Sequence, residues 1–480
     1  MSVSPGYAPL YRKLAERLRT SIVSGTLKSG EKLASLRKVT EQQKVSLATA
    51  IHAYRLLEEQ GLIEARPQAG YFVVSSDRQL QEPELTQPPT SPTAVGINEL
   101  SADIFAAAAN PDITPLGAAC PAPELFPMQA IRRTMGRVLR QKPAIVTEYP
   151  LGAGLEDLRR QVGRRSLAWG GSIPYRDILV TNGATEAITL CLRAITKPDD
   201  IVITESPTYF GILQAIEILA LRVLEIPTDP KDGISLDALR VALQRNKVKA
   251  MVLMPNAQNP LGATMPDGHK ADLAELAARH GIPIIEDEIY GDLYFGQSRP
   301  KMLKAFDQEG LVLTCSSFSK SFTPGMRLGW VSAGQYHSRV EILKRTTNIA
   351  TDQLNQHVVA ELLRAGVYER HVGVLRKILA ANIVSARRTI LETFPTTTRV
   401  TNPAGGYVLW VEFPKGVDAL KLNVQARAEK ISIGPGPLFS ATGEFRNCIR
   451  VNCGVCWTSR IERALARLGA LANKQLTGRR

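Results

Sequence analysis

The sequence predicts an α/β protein with a mostly parallel sheet and a smaller α/β lobe, preceded by a separate domain of helices and a hairpin. Three observations carry this reading. From residue 178, short apolar runs alternate with amphipathic stretches, the pattern of strands and crossover helices. Polar motifs follow several of those runs directly. Ahead of them, residues 10 to 74 carry helical periodicity and then two β-like runs around a turn.

At 480 residues the chain is long enough for two or three domains. A hydrophobic content of 44% with 22% charged residues describes a globular protein with a large core. No run of 18 apolar residues occurs, so no membrane span is expected. The start, Met-Ser-Val-Ser-Pro-Gly-Tyr, has neither a charged n-region nor an apolar h-region, which argues against secretion. Six cysteines form no dense framework, as suits a reducing cytoplasm. Cys453-Gly-Val-Cys456 has no second such pair and no nearby His. Buried thiols are therefore expected there, and no metal. Net charge is +14, and residues 1–76 hold 11 Lys/Arg against 6 Asp/Glu. The basic excess is densest at the N-terminus, as in a domain that meets phosphates.

In that domain Tyr11, Leu14, Leu18 and Ile22 recur at helical spacing, and Gly25 stops the helix. A second helix is expected from Ser35 to Gln42. Ser46 can cap a third, since its hydroxyl accepts from free backbone N–H groups. Ile51, Tyr54 and Leu57 give the third helix a buried stripe, and Gly61 ends it. Leu62–Ala65 and Tyr71–Val74 read as strands around Arg66-Pro67-Gln68-Ala69-Gly70. Three helices and a hairpin make a winged helix-turn-helix, assigned to residues 1–76. Residues 77–97, rich in Pro, Gln, Ser and Thr without apolar period, read as a partly extended linker.

Residues 98–480 form the second domain, with a large part over about 115–345 and a small part over about 346–480. Its apolar runs are 178–181, 201–204, 222–226, 250–254, 282–286, 311–315 and 328–332, and Leu273–His280 is one of the intervening amphipathic segments. In such sheets ligands bind beyond the carboxyl ends of the strands. Five polar motifs lie there: Asn182–Thr185, Ser206–Tyr209, Asn256–Gly262, Asp287, and Ser316–Lys320. Lys320 offers a primary amine that can condense with an aldehyde. Asp287 can hold a ring nitrogen protonated. Asn259 and Tyr290 can donate to a phenolate oxygen. Gly183, Ala184 and Thr185 open a helix whose free N–H groups suit a phosphate. Ser317, Ser319 and Arg327 add hydroxyls and a guanidinium, and Tyr209 can stack on a planar ring. Together these are the groups that pyridoxal 5'-phosphate (PLP) requires. Tyr294, Tyr407 and Trp410 are expected only to pack.

Two resemblances follow. Gly30-Glu31-Lys32-Leu33, Ser35-Leu36-Arg37, Val45-Ser46-x-x-Thr49, Ala53-Tyr54-x-x-Leu57 and the Arg66-Pro67 wing resemble the DNA-binding domain of the GntR family. Ala34 and Ala69 depart from it, standing where relatives usually carry Pro and often Ser. The resemblance implies that Arg37, Ser46 and Thr49 meet DNA from the helices, with Arg66 and Gly70 at the wing. Residues from about 115 to 470 resemble a fold-type I aminotransferase. Besides the five motifs, the matches are Tyr149, Gly154, Leu158-Arg159, Gly117–Pro127 and Ile449-Arg450-Val451-Asn452. That likeness implies that Tyr149 reaches a partner subunit's cofactor phosphate and that Arg450 binds an α-carboxylate. A GntR-type domain joined to an aminotransferase-like domain resembles the MocR subfamily of bacterial regulators. It implies a head-to-tail homodimer that binds an operator in double-stranded DNA and senses PLP, an amino acid or amine, or both. Because Lys320, Asp287 and Arg450 are all present, a working aminotransferase stays open as the alternative.

Overall fold

The computed structural model describes residues 9–23, 26–28, 30–59, 62–66, 69–73 and 80–478. Gly25, Gly61, Pro67, Gln68 and Val74, read above as stops, turn and strand end, lie outside the described residues, as do residues 75–79.

Helices α1 (Leu10–Val23), α2 (Leu36–Gln43) and α3 (Leu47–Glu59) precede the hairpin of β1 (Ile63–Arg66) and β2 (Gly70–Val73). Ser35 Oγ accepts from Lys38 N at 3.3 Å, and Ser46 Oγ accepts from Thr49 N at 3.2 Å. These hydroxyls start α2 and α3 by satisfying N–H groups with no partner inside the helix. Leu14, Ile22, Ala50, Ala53, Tyr54, Leu57, Ile63 and Val73 form the core. The expected stripe is corrected at one place: Ile51 is only half-buried, and the small Ala50 and Ala53 take the interior positions. The antiparallel register sets Ile63 opposite Val73 and Arg66 opposite Gly70.

Residues 80–97 are extended, as their composition suggests, but they are bound rather than free. Pro83 is buried, Leu80 packs on an apolar core, and β3 (Thr93–Ala94) pairs antiparallel at the edge of the large sheet. Helix α4 (Asn98–Ala109) and strand β4 (Thr114–Pro115) follow, then α5 (Met128–Gln141) and α6 (Glu156–Ser166).

The large lobe runs β5 (Ile178–Thr181), α7 (Ala184–Ile195), β6 (Ile201–Ser206), α8 (Phe210–Ile218), β7 (Arg222–Asp229), β8 (Gly233–Ile234), α9 (Leu236–Arg245), β9 (Val248–Leu253), α10 (Asp267–His280), β10 (Ile284–Asp287), β11 (Val312–Ser317) and β12 (Gly329–Ser332). Among the described residues its sheet is ordered β3-β7-β6-β9-β10-β11-β12-β5, with β8 on β7. Strands β7, β6, β9, β10 and β11 pair in parallel, and β12 is antiparallel to both β11 and β5. Alternate residues serve opposite faces. Ala250, Val252 and Ile285 join one core, while Met251, Leu253 and Ile284 join the other.

Helices α11 (His337–Asn348), α12 (Gln353–Arg364) and α13 (Val367–Thr393) lead to β13 (Arg399–Val400), β14 (Val408–Glu412), α14 (Ala419–Ala428), β15 (Ile431–Ser432), β16 (Gly434–Pro435), β17 (Cys448–Asn452) and α15 (Ser459–Thr477). The second sheet is ordered β13-β14-β17-β16, and β15 pairs with β4. Along α12 and α13 the side chains pass from one apolar core to another. Val358, Val372 and Leu379 belong to the large core, whereas Ile383 and Ile390 belong to the small one. At 27 residues, α13 is about 40 Å long and spans both.

Candidate functional site

The expected motifs converge at the carboxyl edge of the large sheet. Strand β5 leads through Asn182 and Gly183 into α7. Gly183 has φ +83°, and a Cβ there would stand 2.7 Å from Arg327 Nη2. A Cβ on Gly329 would stand 2.6 Å from the Gly183 carbonyl carbon. Both positions must therefore lack a side chain. Arg327 Nη1 donates to Ser319 Oγ at 3.2 Å, and Ser319 N donates to Ser317 Oγ at 3.3 Å. The first turn of α7, with buried Ala184 and exposed Thr185, offers free backbone N–H groups beside the Arg327 guanidinium, donors that suit an anion.

Strand β10 ends in Glu286-Asp287-Glu288, and the three carboxylates divide their work. Glu286 accepts from Leu303 N at 2.5 Å and from Thr314 Oγ1 at 2.9 Å. Glu288 is paired with Arg299 at 2.7 Å. Asp287 is 1% exposed, and its Oδ1 has no hydrogen-bond partner. Burial, with Glu288 adding repulsion, raises its pKa to about 7, while Lys320 works the other way. A buried acceptor left open is costly, and a cationic ring nitrogen is the kind of group that fits it.

Lys320 Nζ donates to the Ala119 carbonyl at 2.8 Å. Burial lowers its pKa, with Cys120 opposing that shift, which favours the neutral nucleophile. The Tyr290 hydroxyl is buried without a hydrogen bond of standard geometry, and Tyr407 packs edge-on against its ring at 5.4 Å. The Tyr209 ring occupies space that a Cβ on Gly211 would fill, 2.5 Å from Cε1. Burial raises the Tyr209 pKa to about 12. Arg450, on β17, is 0% exposed. Its Nη1 donates to Asn259 Oδ1 at 3.0 Å and its Nη2 to the Gly117 carbonyl at 2.6 Å, while Nε has no partner. Its guanidinium lies 4.9 Å from the Phe439 ring centre.

Several expectations change in detail. Tyr407 is more than a packing residue, because its hydroxyl donates to the same Ala119 carbonyl, at 3.1 Å, that Lys320 uses. Its signal is Gly405-Gly406 just before it, with Gly406 at φ +75°. Trp410 is buried against Phe439 and Phe445, and Tyr294 lies under the Arg376 guanidinium at 4.0 Å. Glu205, which sequence reasoning missed, accepts from Met254 N at 2.9 Å. Burial, with Asp287 adding to it, lifts its pKa to about 8. Tyr149 is 79% exposed and stands apart from this cluster. Cys453 is buried but Cys456 is exposed, so they do not share one buried environment.

In the N-terminal domain Arg37 is exposed on α2. Ser46 and Thr49 share a hydroxyl contact of 2.9 Å at the start of α3. Arg66 donates to Glu64 Oε1 at 2.7 Å and lies 4.4 Å from the Phe72 ring centre. Gly70 has φ +100°, and a Cβ there would approach Lys32 Cε to 3.3 Å. Among the described residues no cluster of His, Cys, Asp and Glu could hold a metal ion, and no helix is long and apolar enough to cross a membrane.

A buried amine, an open buried carboxylate, a guanidinium packed where Gly183 lacks a side chain and a buried arginine on a mixed, mostly parallel sheet define a fold-type I, PLP-dependent class of protein. Comparisons agree. The family model for aminotransferase class I and II matches residues 124–468, and that for bacterial regulatory proteins of the gntR family matches residues 10–73. The uncharacterized HTH-type transcriptional regulator YjiR of Escherichia coli (strain K12) is 37% identical over 96% of this chain and 98% of its own. YdcR, a second uncharacterized HTH-type regulator of that strain, is 38% identical over 97% and 99%. A crystal structure of Pyrococcus horikoshii kynurenine aminotransferase, in complex with PMP, superposes with a TM-score of 0.74 at 29% identity, over 79% of this chain and 95% of that one. The chain belongs to the class I and II aminotransferase family, in the MocR-type arrangement with a GntR domain ahead of it.

Proposed function

We propose that this chain is a PLP-dependent, DNA-binding transcriptional regulator that senses PLP, an amino compound, or both. The observation that carries the reading is that one chain holds a winged helix and, at the edge of the large sheet, a buried amine, an open buried carboxylate and a buried arginine. Bound PLP supplies an electrophilic aldehyde and an electron-accepting ring. Lys320 is the amine that holds the cofactor. Asp287 faces the ring nitrogen with its open Oδ1, and Asn259 and Tyr290 face the phenolate side. Tyr209 stacks on the ring. Gly183, Ala184, Thr185, Ser317, Ser319 and Arg327 hold the phosphate, joined by Tyr149 of a second copy in a head-to-tail homodimer. Arg450 takes a carboxylate, for which Asn259 and the Gly117 carbonyl are the present stand-ins. Arg37, Ser46, Thr49, Arg66 and Gly70 face the operator. The protein works in the cytoplasm. DNA affinity responds because the ligand binds two states of the chain unequally.

A gel shift on the gene's own upstream DNA tests this, with apo protein, PLP-loaded protein, and loaded protein with an amino-acid panel. Salt is held fixed, because non-specific binding falls steeply with it. A sequence-specific shift that depends on PLP or an amine is expected. Specific binding in no state contradicts the reading. The complete set of Lys320, Asp287 and Arg450 favours a working aminotransferase as the second reading. Multiple-turnover conversion of amino acids to 2-oxo acids would support it.

A further inference from the structure

The extended segment Leu80–Thr86, between the two domains, touches both lobes of the aminotransferase-like part within seven residues. Leu80 packs on the small-lobe core. The Gln81 carbonyl accepts from Val400 N at 2.8 Å, beside β13 of the small lobe. Glu84 pairs with Arg399 of the same strand at 2.7 Å. Thr86 belongs to the other lobe: its hydroxyl donates to the Ser206 carbonyl at 2.7 Å and accepts from Thr228 N at 3.2 Å. Glu82 belongs to both. Its Oε1 accepts from Asn402 N of the small lobe at 3.1 Å, and its Oε2 pairs with Lys231 of the large lobe at 3.0 Å.

These anchors lie on short routes to the cofactor site. Pro403, next to Asn402, packs against Gly262 so closely that a Cβ there would lie 2.5 Å from Pro403 Cβ. Gly262 closes the loop that carries Asn259, and Asn259 holds Arg450 at 3.0 Å. Ser206 begins the loop that carries Tyr209, and its hydroxyl reaches Glu225, which also accepts from Ser440 at 3.1 Å. Contacts therefore run from Arg450 through Asn259, the Gly262–Pro403 packing and Asn402 to Glu82, and from the Tyr209 loop through Ser206 to Thr86.

We propose that Leu80–Thr86 is a strap that reads the relative position of the two lobes and passes it to the winged helix, with Glu82 and Thr86 as its anchors. This rests on the regulator reading and gives that reading its transmission element. Neither anchor belongs to the cofactor site, so Glu82→Gln and Thr86→Val are expected to bind PLP as the native chain does.

The test uses full-length protein in three states: apo, loaded with PLP, and loaded with N-(5'-phosphopyridoxyl)-L-alanine, a stable conjugate that carries the carboxylate for Arg450. The first readout is hydrogen exchange at the amides of Val400, Asn402 and Thr228. Protection of at least one is expected to differ between the PLP and conjugate states. Identical protection at all three overturns the strap, whatever the DNA does. The second readout is operator affinity. Typical coupling between two sites is about 5- to 150-fold. The native ratio between the two loaded states is expected to fall toward one in Glu82→Gln and in Thr86→Val. If both variants keep the native ratio, the strap does not transmit. If exchange changes but native operator affinity does not, the strap stands as a reader of lobe position and the regulator reading fails.

Discussion

Asp287 shows at the scale of one residue how the site is poised. Its carboxyl is held at a pKa of about 7, against an ordinary value near ~4. The sign follows from linkage. A carboxyl with a raised pKa costs no stability below its ordinary value. The cost grows as pH rises through the window from about 4 to about 7, then stays constant. A cationic partner at Oδ1 removes that cost. Thermal melts with and without PLP should therefore show a larger gain in Tm at about pH 8 than at about pH 5. Asp287→Asn should flatten that difference; an unchanged pH dependence would place the ring nitrogen elsewhere. Gly183 offers a second check. Ala at φ +83° with its Cβ 2.7 Å from Arg327 Nη2 must displace the guanidinium. Equilibrium dialysis should show Gly183→Ala binding PLP at least about tenfold more weakly, the ~1.4 kcal/mol that losing one charge-assisted contact amounts to. Asp287 and Lys320 could be singled out because they follow apolar runs read as strands, whereas Arg450, inside β17, was singled out only by the likeness to aminotransferases. Tyr407 and Glu205 were not legible. Their hydrogen-bond partners, among them Ala119 and Met254, are distant in sequence.

Elements were legible where periodicity speaks. The apolar runs at 178–181, 222–226 and 282–286 fall on β5, β7 and β10, because strands buried on both faces are continuous apolar runs. The strap was not legible as an ordered element. It is held by backbone groups, one hydroxyl, ion pairs and the single apolar contact of Leu80, none of which needs a periodic apolar pattern. The break between the lobes was blurred for a similar reason, since α13 serves two cores without interruption. In the winged helix, Ser46 is both cap and DNA candidate, and substitution separates the two roles. Ser46→Ala should destabilise that domain by about 1 kcal/mol, read as a lower Tm. Ser46→Asp keeps a capping oxygen and adds a negative charge, so it should retain Tm but weaken operator binding. Unchanged DNA affinity in Ser46→Asp would remove the start of α3 from the DNA interface.

At the scale of the whole molecule, the chain joins a small basic domain to a much larger ligand-binding one. Leu80–Thr86, ahead of the larger domain, is held on both of that domain's lobes by ordered contacts. The account needs a ligand event at Lys320 to change DNA affinity in the same chain. That dependence is read most directly from the fluorescence anisotropy of a labelled operator fragment at fixed salt. PLP-loaded native protein and Lys320→Ala are each titrated with and without an amino-acid panel. The native chain is predicted to change its operator affinity with PLP or with at least one amine, and Lys320→Ala to lose that change while still binding DNA. An equal response in both proteins, or none in the native chain, would contradict it.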